Sequence, residues 1–257
     1  MSQIFSPFES HIVFPVFSIY FTNNFGLIIT NQTVILALVF VLIFFYLYSL
    51  LSKDNTFLAI PTRAQAALEI LILFVLSITQ ESIQNKSGEK HFPIIFSLFI
   101  FIFSLNLIGL IPYSFALTGQ FVITLTLSLV LFVGINIFGI MTHGLKILNM
   151  FLPSSASLNL VFVVSPFEFV LYIFRPFSLA TRLFCNIVAG HLLLVVIFGF
   201  IYKIAAFGGL VSLINVFPIL ILIALFFLEL VLAFVQTFIF CLLVSNYLSD
   251  VLDADKH

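Results

Sequence analysis

Two long apolar runs, residues 158–202 and 210–248, constrain this chain more than any other feature. They hold 45 and 39 residues. As continuous helices they would measure about 68 Å and 58 Å at 1.5 Å per residue, against a hydrocarbon core of about 30 Å. Tilts of about 20° do not absorb such an excess. Helices of this length must incline steeply, bend, or extend beyond the bilayer. Gly208 and Gly209 separate the runs and mark a turn, while Pro176 and Pro218 supply places to bend. The pattern predicts a long, sloping helical hairpin that lies against a partner's surface.

The rest of the chain agrees with a membrane protein. Hydrophobic residues make up 63% and charged residues 7%, with mean hydropathy +1.31. A soluble domain carries roughly 25% charged residues. A formal net charge of −1 leaves no field for nucleic acid. Residues 34–51 predict a first span, and residues 92–112 and 121–142 a second and third within the 92–142 hairpin. Residues 62–85 hold only one short, largely apolar stretch of ten residues, 70–79, flanked by Arg63, Glu69 and Glu81. They predict an amphipathic helix in the interface, ahead of a short buried span. The expected fold is therefore an all-α polytopic membrane domain over 1–257. It has about five membrane-embedded helices, one interfacial helix, and the inclined hairpin at 158–248.

Residues 1–33 hold no Lys or Arg and do not read as a signal or transit peptide. Lys53, Arg63, Lys86 and Lys90 follow the first span, Lys146 follows the third, and Lys256 lies in the 249–257 tail. The positive-inside rule places the N-terminus outside and the tail inside. Five spans give the same answer, and Lys203 at the last turn is the one discordant charge.

Charges inside a span cost at least about 2.5–3.5 kcal/mol each and are functional candidates by default. Glu168, Arg175 and Arg182 are spaced seven and seven and share a helical face, which Asn186 joins four residues on. His191 points the other way. In the second arm Glu229, Gln236, Tyr247 and Asp250 form one polar stripe. Polar stripes on two antiparallel helices predict water-accessible paths. The competing explanation is structural: ion pairs of Arg175 and Arg182 with Glu168 and Glu229, with Asn186 and Gln236 as interhelical hydrogen bonders. His191 and Glu229 lie 17 and 20 residues from Gly208 and Gly209, so folding at that turn brings them to similar depth. Two such ligands without a third do not make a metal site. Cys185 and Cys241 read as small buried hydrophobes. No phosphate loop, HExxH, CxxC or GxSxG occurs, so any catalysis belongs to a partner. A self-contained transporter would want internal repeats, which are not evident. A respiratory-chain pump subunit would want ionisable chains in the first three spans, which carry none.

The segment ATRLFCNIVAGH at 180–191 resembles the signature of the a subunit (subunit 6) of F-type proton-translocating ATP synthases. NLIGLIPY (106–113), Pro166 to Glu168, Arg175–Pro176, and Glu229 through Gln236 to Tyr247 and Asp250 extend the likeness over most of the chain. His191 paired with Glu229 is similar to mitochondrial members, where many bacterial ones carry an acid and then a histidine. Cys185 departs from the small Gly, Ala or Ser expected there. The resemblance implies a stator facing a rotating c-ring whose subunits each carry a membrane-embedded carboxylate. Arg182 would be the arginine between two offset half-channels. His191 and Glu229 would line the outer one, and Glu168 and Asp250 the inner. It also implies peripheral-stalk and other membrane-sector partners, a soluble head that performs the ATP chemistry, no cofactor, and a mitochondrial inner membrane with the C-terminus in the matrix.

Overall fold

A computed structural model describes residues 13–22, 25–51, 63–83, 88–111, 115–144, 158–206 and 215–252. Six helices dominate it: α1 (Asn31–Leu51), α2 (Arg63–Ser82), α3 (Gly88–Gly109), α4 (Phe121–His143), α5 (Leu158–Ala206) and α6 (Val216–Leu252). The last two form the long hairpin. At 49 and 37 residues they run about 74 Å and 56 Å, so neither stands upright within about 30 Å of hydrocarbon. The expected turn at Gly208 and Gly209 lies outside the described residues.

Lipid explains why such β-branched, aromatic-rich sequences are helical. A spanning segment must satisfy every backbone N–H and C=O internally, and a helix does so within itself. Pro166 and Pro176 lie inside α5 and each remove one of its hydrogen bonds. Several hydroxyls in the spans return to their own helix: Thr79 Oγ1 donates to the Leu76 carbonyl at 2.8 Å and Thr124 Oγ1 to that of Phe121 at 3.0 Å.

Five helices contain stretches long and apolar enough to cross a membrane: 65–82, 90–109, 121–142, 164–206 and 216–252. The stretch in α2 has the lowest mean hydropathy, 1.3. This helix is 20 residues long, twice the apolar run apparent in the sequence, and it is two-faced. Val75, Ile78 and Thr79 are buried, while Glu69, Leu73, Ser77 and Gln80 are exposed. Helix α1 has 21 residues and no charge. Helix α3 begins at Gly88, ahead of the expected 92, and ends at Gly109 instead of 112. The N-terminal segment, for which the sequence suggested no element, forms an antiparallel hairpin of β1 (Pro15–Thr22) and β2 (Phe25–Thr30), paired from Pro15↔Thr30 to Thr22↔Phe25. Two β-rich apolar runs split by Asn23–Asn24 were the available signal.

Contacts group the chain into two compact units. The first takes Met1–Thr56, Ile100–Gln120 and Leu183–Gln236; the second takes Phe57–Phe99, Phe121–Arg182 and Thr237–His257. Helices α3, α5 and α6 contribute residues to both. In the first unit Phe40 stacks on Phe101 at 5.5 Å, Phe103 meets Phe234 at 6.0 Å, and Gln32 Nε2 donates to Gln120 Oε1 at 3.0 Å. In the second, Phe74 contacts both Phe99 and Phe238, and Phe132 contacts Tyr172. Ring packing suits a bilayer, where close contact and interhelical hydrogen bonds hold helices together without a hydrophobic drive.

Candidate functional site

Three settings hold most of the ionisable side chains of the hairpin's sequence-predicted site. The first is a small cavity within the first unit. The end of α3 contributes Gly109 and Leu110; α5 contributes Asn186, Ile187, Gly190 and His191; α6 contributes Glu229 and Leu232. His191 and Glu229 are 2% and 6% exposed. The cavity has room for about one water molecule, ≈ 10 Å³. Gly190 makes the arrangement possible, because a Cβ there would lie 3.0 Å from both Cδ and Oε1 of Glu229. At Gly109, a Cβ would come within 3.4 Å of the Ala116 Cβ.

Glu229 Oε1 is buried with no hydrogen-bond partner among the described residues, and so is Gln236 Nε2. Gln236 follows Glu229 by seven residues, two helical turns, on one face of α6. A bare carboxylate in such a place is very costly. The group must be protonated, or hydrated by water in the cavity, and a carboxyl poised between those states can accept and release a proton. Thr118 Oγ1 and Asn215 Oδ1, in the same unit, are also buried without a partner among the described residues. Neither stands out in the sequence. Their signal was a polar side chain at the mouth of an apolar helix, which resembles an ordinary cap.

The second setting is Arg182. It is exposed on α5, as are Ser178 and Thr181 beside it. Those hydroxyls donate to carbonyls of their own helix, Ser178 to Arg175 at 3.0 Å and Thr181 to Phe177 at 2.9 Å. Cys185, expected to be a buried small residue, is exposed too; Cys241 is buried, and both are free thiols. Helical phase explains the exposure, since 185 falls three residues after Arg182 on the same side of α5.

The third setting lies in the second unit. Arg175 Nη1 pairs with Asp250 Oδ2 at 3.0 Å. The guanidinium carbon lies 5.2 Å from the centre of the Tyr172 ring and 4.9 Å from that of Tyr247. The Tyr172 hydroxyl donates to Asn136 Oδ1 on α4 at 2.5 Å. Arg175 thus pairs with Asp250 rather than with Glu168, which is half-buried on α5 and belongs to neither cluster. Among the described residues no group of three His, Cys, Asp or Glu is placed to hold a metal ion.

A multi-pass helical membrane protein that buries a carboxyl and a histidine around a water-sized cavity, and shows an arginine on the outside of a span, has the features of a subunit that handles ions with a partner. The ATP synthase A chain family matches residues 33–249. An ATP synthase subunit a from Chondrus crispus is 39% identical over 251 residues, 97% of each chain. One from Acanthamoeba castellanii is 36% identical over 252 residues, covering 97% of this chain and 98% of its own. One from Allorhizobium ampelinum is 37% identical over 198 residues, covering 77% and 79%. The chain belongs to the ATP synthase A chain family.

Proposed function

We propose that this chain is the proton-conducting stator subunit of the membrane sector of an F-type ATP synthase, working against a rotating c-ring through two offset half-channels. The observation that carries the reading is Arg182, a cation exposed on a helix long and apolar enough to cross a membrane. Facing lipid, it would cost at least about 2.5–3.5 kcal/mol. Facing a ring of membrane-embedded carboxylates, the same exposure is stabilising. A guanidinium stays charged at any working pH. It therefore favours the ionised form of each passing ring carboxylate and blocks direct proton transfer between the half-channels.

Proton supply from outside uses the cavity. Glu229 takes up a proton, His191 relays it beside the carboxyl, and Asn186 and Gln236 keep the route polar. Release toward the inside runs past Glu168. The soluble head of the complex performs the ATP chemistry, and peripheral-stalk and other membrane-sector subunits hold this chain against the ring's torque. Its setting is the mitochondrial inner membrane, with the N-terminus in the intermembrane space and the C-terminus in the matrix. The charge distribution of the loops supports that orientation.

The test is Arg182→Ala in the assembled complex. ATP-driven proton pumping should be abolished while the detached head still hydrolyses ATP. Normal pumping would overturn the reading. Lysine at 182 should substitute poorly, because an ammonium is a compact charge whose pKa falls readily on desolvation.

A further inference from the structure

Arg175 and Arg182 are seven residues apart on one helix, about 10 Å along its axis and nearly in phase. Both carry a permanent charge, yet their settings differ. Arg182 is exposed and has no ion pair among the described residues. Arg175 is half-buried, paired with Asp250 and lodged between two tyrosine rings. We propose that Asp250, with Tyr172 and Tyr247, forms a guard that captures Arg175, so that Arg182 alone is presented to the ring carboxylates.

The inference rests on the stator reading and adds a division of labour to it. A free guanidinium two turns from Arg182 would offer a passing carboxylate a second ion pair. The ring would then be held at two positions, and each step would require breaking an extra contact. An exposed ion pair alone is a weak restraint, and here the side chains of Arg175 and Asp250 are 33% and 43% exposed. Three elements strengthen it. Helix α6 supplies both the carboxylate and one ring. Helix α5 supplies the other ring, and α4 holds that ring through Asn136 Oδ1. Arginine suits the slot because its planar cation stacks on aromatic faces while its edge donates to a carboxylate. Asp250 is then a positioning residue acting through Arg175, not a proton carrier of the inner half-channel.

The experiment uses the whole membrane-bound complex and three variants: Asp250→Asn, Arg175→Gln and the two combined. Asp250→Asn should slow ATP hydrolysis by the attached head about tenfold, and stripping the head from the membrane should restore it. The double variant should hydrolyse and pump within about twofold of Arg175→Gln, because removing the freed cation removes the trap. Where Asp250→Asn lowers assembly, rates are read per assembled complex. Two results would overturn the guard. If the double variant is as slow as Asp250→Asn, the carboxylate itself carries protons. If Asp250→Asn leaves hydrolysis fast but uncoupled from pumping, the cluster is only a brace. Arg182→Ala in the same preparation separates failure of the guard from failure of the stator reading, since normal pumping there would remove the ring contact altogether.

Discussion

The hairpin carries two pairs of ionisable residues, and they are built on opposite principles. Arg175 and Asp250 are partly exposed and fully engaged, ion to ion and ring to cation. His191 and Glu229 are almost entirely buried, beside a space for one water, and one carboxyl oxygen of Glu229 has no hydrogen-bond partner among the described residues. Engagement freezes a charge state. A buried carboxyl without a fixed partner keeps two states within reach, which is what proton transfer needs. In the stator reading proposed above, the difference separates groups that hold the subunit in shape from groups that change protonation while it works.

The contrast predicts unequal losses. Glu229→Gln should reduce ATP-driven proton pumping by about a hundredfold, the scale of a lost proton-transferring group, whereas Gln at 175 should cost little. A mild Glu229→Gln phenotype in reconstituted vesicles would erase the distinction between the two pairs. Next in size is Gly190→Ala. The added methyl would meet the Glu229 carboxyl at 3.0 Å, and that flexible side chain should yield by moving. Pumping should fall about tenfold with assembly unchanged, because small misplacements of a reacting group are costly. Glu229→Asp in the Gly190→Ala background should recover part of the loss, and no recovery would mean that the glycine serves helix packing instead.

His191→Ala should slow pumping several-fold, less than loss of the carboxyl. Combined with Glu229→Gln it should cost less than the product of the single effects, since residues on one route are not additive. Strictly multiplicative losses would place the two on separate routes. The smallest effect belongs to the clasp. Tyr172→Phe removes the hydroxyl that Asn136 accepts from and leaves the ring on Arg175. It should lower the stability of the complex by about 1 kcal/mol, seen as earlier thermal dissociation, with pumping near normal. A large pumping defect would draw Tyr172 into the proton route.

Much of this protein was legible in its residues. Helices that must satisfy their own backbone in lipid can be recognised from apolar length alone, so 158–202 and 210–248 announced a hairpin longer than a bilayer. Spacing of seven placed Arg175 and Arg182 in phase, and counting from Gly208 and Gly209 brought His191 and Glu229 to one depth. Cys185 is exposed where the sequence suggests a buried residue, because a small thiol in an apolar run carries no mark of which way it faces. Helix α2, Arg63–Ser82, falls within the helix expected over 62–85, and the charges at 69 and 81 interrupt its apolar run without interrupting the helix.

What the sequence determined by itself was local: chemical type, helical phase, and the cost of each charge in lipid. Which charge meets which was decided by tertiary structure. Asp250 and Arg175 are 75 residues apart, and Glu168 was an equally plausible partner by spacing. The notch at Gly190 shows the same limit, since a glycine within a helix says nothing of the carboxyl that fills it from another. Periodicity is a property of one segment, whereas pairing and space depend on how segments far apart in the chain are docked, and that docking gives Arg175 and Arg182 different surroundings on one face of one helix.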